Sequence, residues 1–173
     1  ATNAADAIDL GPLAGAHLLT LTAPGSITLR DANIGALTIT DGDTVTFSGN
    51  FTTNGAISVS TAASINLVVV NAGETVTAGA ALTFDATDIT VNGTVKGNSV
   101  TLTTSSGVGG GDAILLSGNL NAANGAVDVE DDLDVTGNSI VSSTNGNVTF
   151  SSDVFDANNL TVNAVNGTAT FTT

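Results

Sequence analysis

The chain alternates apolar and polar residues in short bursts. Pairs separated by one residue recur along it: Ile27/Leu29, Leu37/Ile39, Val45/Phe47, Ile57/Val59, Ile65/Leu67, Leu82/Phe84, Ile89/Val91 and Val100/Leu102. This is the period-two pattern of strands with one buried face. β-Branched residues dominate the bursts and Gly or Asn interrupts nearly every one, which excludes helices almost throughout. In ALTITDGDTVTFSGNFTTNG, residues 36–55, the turn signals Asp41-Gly42-Asp43 and Asn54-Gly55 lie one strand length apart. An isolated hairpin needs only one of them.

Aligning the first residue of each burst gives three columns. One runs Leu19, Leu37, Ile57, Val76, Val95, Ile114, Leu133, Val154. A second runs Ile27, Val45, Ile65, Leu82, Val100, Leu120, Ile140, Leu160, and a third Ile34, Phe51, Val70, Ile89, Val108, Val127, Val148, Ala169. All three share a period near 19 residues, the mark of a repeat architecture. The pattern predicts a right-handed, three-faced parallel β-helix (a β-solenoid) of about eight laps of 18–21 residues over 18–173. Residues 1–17 form a cap, a partial lap or an arm. The alternative fold is an antiparallel β-sandwich or jelly roll.

The expected core includes Leu37, Val45, Ile57, Ile65, Leu82, Ile89, Val100, Val127, Leu133, Val148 and Leu160. Expected corners carry Gly42, Gly55, Gly93, Gly125, Gly146 and Gly167, residues that tolerate left-handed backbone. In this frame Asn-Gly falls at the third corner of laps two and four, but at the second corner of laps six to eight.

Composition narrows the function. Charged residues make up 10% of the chain, against roughly 25% in an ordinary globular protein. Sixteen acids face two bases, Arg30 and Lys96, for a net charge of −14. This argues against nucleic acid, heparin-like polymers and anionic membranes as partners, because each needs clustered Lys or Arg. With no Cys there is neither a disulfide nor a thiolate metal site. No apolar run reaches the ~18 residues of a membrane span. A start at Ala1 and the absence of Met suggest a processed product or an excised fragment.

The recurrent phrases ITL, LTIT, ISVS, ITVNG and VTLTT, with Asn-Gly corners, resemble the shafts of bacterial filamentous-haemagglutinin-type adhesins and related β-helical autotransporter passengers. The resemblance covers residues 18–173 and implies a shaft-like protein at the cell surface. The adhesins' secretion domain carries an Asn-Pro-Asn motif, which is missing here; the prolines are Pro12 and Pro24.

Candidate sites are few. Asp112, Asp131, Asp132 and Asp153 align at one corner in successive laps, and stacked carboxylates suit a hard cation such as calcium. Solvated acids that keep the rod soluble are the simpler reading. Leu115, Val141 and Phe155 fall at outward positions and would form an apolar contact patch. Arg30 and Lys96 are expected to satisfy nearby carboxylates, and His17 to sit at the surface or in a cap. A polysaccharide-active β-helix enzyme would need basic residues or paired carboxylates among stacking aromatics, yet the chain has no Tyr or Trp. Ice binding would need a doubled rank of threonines. The outward column Thr28, Thr46, Asn66, Thr83, Thr101, Asn121, Val141, Thr161 is single and interrupted.

The expectation is therefore a non-catalytic extracellular structural protein, a shaft or filament subunit that stacks end to end or continues a longer solenoid. GTATFTT closes the sequence inside a strand pattern with no cap, leaving an edge for such a partner. The alternative is an adhesin segment that binds a receptor or glycan.

Overall fold

The computed structural model describes residues 7–60, 65–104, 114–156 and 158–172. Its strands form three eight-stranded sheets in which every pairing is parallel and joins one lap to the next. The chain visits the faces in turn, so that Ile27–Leu29 lies on the first, Ala32–Ile34 on the second and Ala36–Asp41 on the third. The protein is a parallel β-solenoid, as the alternation predicts, and not a sandwich. With ~4.8 Å between strands, eight laps span roughly 40 Å.

Among the described residues the ladders start with Ile8. Ile8–Leu10 pairs with Ile27–Leu29, and Leu13–Ala14 with Ala32–Asn33. On each face an inward column runs unbroken through all eight laps, and on the first and third faces a second one, through Phe47 and Phe84 respectively, runs beside it. On the first face the former runs Ile8, Ile27, Val45, Val68, Ile89, Ile114, Leu133, Val154. On the second it runs Leu13, Ala32, Phe51, Val76, Val95, Leu120, Val141, Val162. On the third it runs Leu19, Leu37, Ile57, Leu82, Val100, Val127, Val148, Ala169.

These columns correct the constant-period frame. Lap-to-lap partners are 18 residues apart at Thr22 and Thr40 and 21 apart at Asn121 and Ser142. They are 25 apart at Ser60 and Asp85, and 27 apart at Thr103 and Glu130. The two long laps contain residues 61–64 and 105–113, which lie outside the described residues together with Val108 and Asp112. A fixed period absorbs each insertion by sliding onto the neighbouring face. The column that starts at Leu19 on the third face therefore reaches Val76 on the second and Ile114 on the first.

Ten of the eleven expected core residues are buried, from Leu37 to Val148 in chain order. Leu160 points inward but is only half-buried, because it lies in the last lap. Phe47, Phe51 and Phe84 come from the first, second and third faces and meet inside the rod. Phe47 packs edge-on to Phe51 at 5.5 Å and stacks on Phe84 at 5.6 Å. Inward hydroxyls satisfy the corners: Ser143 donates to the Gly125 carbonyl at 2.7 Å and accepts the Gly146 N–H at 2.8 Å.

The corner glycines are in place for a different reason than their tolerance of left-handed backbone. Among the described residues no non-glycine has positive φ, and none of the six expected corner glycines does either. At Gly55, Gly93, Gly146 and Gly167 the constraint is clearance from neighbouring carbonyls, whereas a Cβ on Gly42 would meet nothing closer than 3.3 Å. A Cβ on Gly146 would stand 2.3 Å from the Gly125 carbonyl oxygen, and one on Gly167 2.1 Å from that of Gly146. The corrected frame also unifies the Asn-Gly pairs. Asn54-Gly55, Asn124-Gly125, Asn145-Gly146 and Asn166-Gly167 all turn from the second face to the third, while Asn92-Gly93 turns from the first to the second.

Candidate functional surfaces

The acidic corner is built from lap-to-lap acceptors. Asp131 Oδ2 accepts the Thr104 N–H at 2.9 Å and Glu130 Oε2 accepts the Thr103 hydroxyl at 2.8 Å. Asp132 Oδ1 accepts both the Ser152 hydroxyl and the Asp153 N–H. Asp132 and Asp153 do stand one above the other, since the Leu133 N–H donates to the Asp153 carbonyl and the Ile114 N–H to that of Asp132. Among the described residues no three His, Cys, Asp or Glu side chains gather in a metal-holding group.

The expected apolar patch does not form. Val141 is fully buried on the second face, in register between Leu120 and Val162, and its neighbour Ile140 is the exposed residue at 44%. The slipped frame had placed Ile140 inward, which inverts the strand. Leu115 and Phe155 do lie at outward positions of the first face, but Asp134 stands between them in the ladder.

The two bases differ. Arg30 grips Asp9 with both Nε and Nη2, at 3.0 and 2.9 Å. That hydrogen bond, helped by the guanidinium charge, holds the Asp9 carboxyl below its ordinary value and raises the guanidinium. Lys96 stands exposed in the second-face ladder between Thr77 and Asn121, with no ion pair among the described residues. This corrects the expectation that it satisfies a carboxylate. His17 borders a shallow apolar pocket at the N-terminal end, lined also by Leu13, Leu18, Leu19 and Ile34.

Two periodic polar arrays emerge once the register is known. On the third face, outward residues at i and i+2 form two ranks: Thr20/Thr22, Thr38/Thr40, Ser58/Ser60, Thr83/Asp85, Thr101/Thr103, Asp128/Glu130, Thr149/Ser151 and Thr170/Thr172. Asp85, Asp128 and Glu130 alone break the hydroxyls. The second rank is cross-linked along the axis by Thr22–Thr40 at 2.7 Å, Ser60–Asp85 at 3.1 Å and Thr103–Glu130 at 2.8 Å. The single interrupted column read from the sequence had mixed all three faces. The signal was present as the recurring triplets TLT, TIT, SVS, TFD, TLT, DVE, TFS and TFT.

The other array is an asparagine ladder at the corner between the second and third faces. Asn124 Nδ2 donates to Asn98 Oδ1 at 3.2 Å, Asn145 to Asn124 at 3.4 Å and Asn166 to Asn145 at 2.9 Å. Each amide donates one way along the axis and accepts from the next, so the ladder has a free acceptor at its final rung.

The described residues contain no helix long and apolar enough to cross a membrane. The β-solenoid is consistent with the general class of β-helical bacterial surface proteins. No protein-family model, curated protein or solved structure matches the chain, so the resemblance to that class rests on architecture and not on a demonstrated family.

Proposed function

We propose that this chain is a non-catalytic structural protein of the cell exterior, a stiff shaft whose three ladders are continued axially by another copy or by further solenoid. The observation that carries the reading is the last lap. Val154, Leu160, Val162 and Ala164 point inward yet are only partly buried, and Ala169 and Phe171 are exposed. Among the described residues no strand pairs with the outer edge of that lap, or with the outer edge of the first. Extending the observed register sets Val154 on Ile8, Val162 on Leu13, and Ala169 and Phe171 on Leu19 and Leu21 of the next molecule. Apolar residues meet apolar residues on all three faces. Such a contact is heterologous and does not close, so it grows a filament. The low charge and the exterior-like coat of Thr, Ser and Asn support the location.

Electron microscopy of the purified chain at neutral pH tests this. Rods that lengthen with protein concentration support it, and uniform rods of one chain's length at every concentration contradict axial growth.

One observation favours a second reading. The two hydroxyl ranks of the third face form a rigid lattice, ~4.8 Å along the axis and about 6.7 Å across. A hydroxyl lattice suits an ordered solid such as ice, and in the first three laps both ranks carry only hydroxyls, with a register shift at Thr22 that sets it opposite Asp41. Partition of the chain into slowly grown ice, lost in Thr38→Tyr, would support this reading. Exclusion of the unaltered chain from the ice would remove it.

A further inference from the structure

We propose that Asn166 is a site of spontaneous deamidation in the folded, unstacked chain, and that corner hydrogen bonds at Gly55, Gly125 and Gly146 and burial of Gly93 protect the four other Asn-Gly pairs. The chemistry is intramolecular. The Gly backbone nitrogen attacks the Asn side-chain Cγ, a new C–N bond closes a succinimide, and the Cγ–Nδ2 bond breaks to release ammonia. Water then opens either side of the imide, giving aspartate or isoaspartate. Glycine favours the first step because it has no side chain to hinder the attack, and the attacking N–H must be free to lose its proton.

The rod withholds that N–H or the space around it in four of the five pairs. The Gly55 amide donates to the Gly35 carbonyl at 2.6 Å and the Gly125 amide to that of Asn98 at 2.6 Å. The Gly146 amide donates to the Ser143 hydroxyl at 2.8 Å. Gly93 is buried, with the carbonyls of Asn71 and Glu74 filling the space a Cβ would take, and Asn92 Oδ1 is tied to the Ser117 hydroxyl at 2.8 Å. In addition, Asn124 and Asn145 each have a laddered amide above and below.

Gly167 shares the lap-to-lap crowding, with the Gly146 carbonyl oxygen 2.1 Å from where a Cβ would stand, but differs in its amide and its exposure. Among the described residues its N–H has no acceptor, and Asn166, Gly167 and Thr168 are all exposed. Among the described residues the Asn166 side chain has one ladder bond instead of two, with nothing donating to its Oδ1. Conversion to the acid removes the Nδ2–H···Oδ1 bond to Asn145 and sets a carboxylate against that oxygen. Isoaspartate also lengthens the main chain at the turn, which loosens the following strand, Ala169–Phe171.

The inference stands independently of axial stacking. Its test uses the chain at a concentration where sedimentation shows single molecules, incubated at mildly alkaline pH and followed by peptide mass mapping of all five pairs. Asn166 is expected to convert at least about ten-fold faster than Asn124 and Asn145 when folded, the difference reflecting local opening. In denaturant the five rates should converge. Equal rates in the folded chain, or conversion of Asn124 or Asn145 ahead of Asn166, would overturn the assignment. So would no conversion of Asn166 in the folded chain.

Discussion

Val148-Thr149-Phe150 and Ala169-Thr170-Phe171 are consecutive strands of the third face, paired residue for residue. The first is buried, part-buried, buried; the second is exposed at all three positions. Phe150 is 1% exposed and Phe171 53%, although their rings stack at 4.7 Å. Nearly identical sequence therefore has two different environments, and only the presence of a further lap separates them. In a solenoid each lap is completed by its neighbours, so stability is a sum over repeats and their interfaces. An interior lap has two such interfaces and the last lap has one.

The largest effect of that difference should appear in the core. Phe150→Ala is expected to cost about 3–5 kcal/mol and Phe171→Ala well under half of that, because only the first leaves a cavity that neighbours cannot fill. Denaturant unfolding of the two variants would measure it, and similar losses would mean that the last lap is as closed as the interior.

Corner clearance should rank next. Gly146→Ala must push against the Gly125 carbonyl with a lap on either side, for a loss of about 1–3 kcal/mol. Gly167→Ala meets the Gly146 carbonyl just as closely, but the last lap can shift away, so its loss should be smaller. Thermal melts of the pair decide this; a larger loss for Gly167→Ala would contradict it.

At the opposite end the Arg30–Asp9 bridge clips the first strand, Ile8–Leu10, to the second lap. Its effect should be local and the smallest of the three. A carboxyl held below its ordinary value stabilises the fold above its unfolded pKa, near 3.8, and that contribution disappears as pH falls through the lower folded-state value. Protection of the Ile8–Leu10 amides against hydrogen exchange, relative to their intrinsic rates, should therefore fall in strong acid, and in Asp9→Asn at neutral pH, with little change in the melting temperature. An unchanged exchange rate in Asp9→Asn would show the bridge to be incidental.

The fold was legible in the sequence because alternation and corner residues act locally: Leu37-Thr38-Ile39 announces its own inward and outward sides wherever the lap lies. The frame was not legible, because lap length varies, from 18 residues between Thr22 and Thr40 to 25 between Ser60 and Asp85. No local pattern marks that. The consequences for the surface were direct. Val141 changed from outward to core, the third-face threonines went unseen as a doubled rank, and four Asn-Gly pairs were divided between two corners. Hydrogen-bond choices such as Ser143 turning inward to serve Gly125 and Gly146 depend on the lap next door and have no signature of their own.

The central claim is that the last lap is complementary, in register, to the first lap of another copy. The absence of cysteine makes it directly testable with Thr20→Cys and Thr170→Cys in one chain. The third-face register brings residue 170 of one molecule beside residue 20 of the next, at the ~4.8 Å strand spacing that a disulfide bridges. Within one molecule the two positions are separated by the length of the rod. Mild oxidation should yield a ladder of covalent multimers on a denaturing gel, lengthening with protein concentration. Only monomers, or dimers that do not extend, would contradict axial stacking in this register.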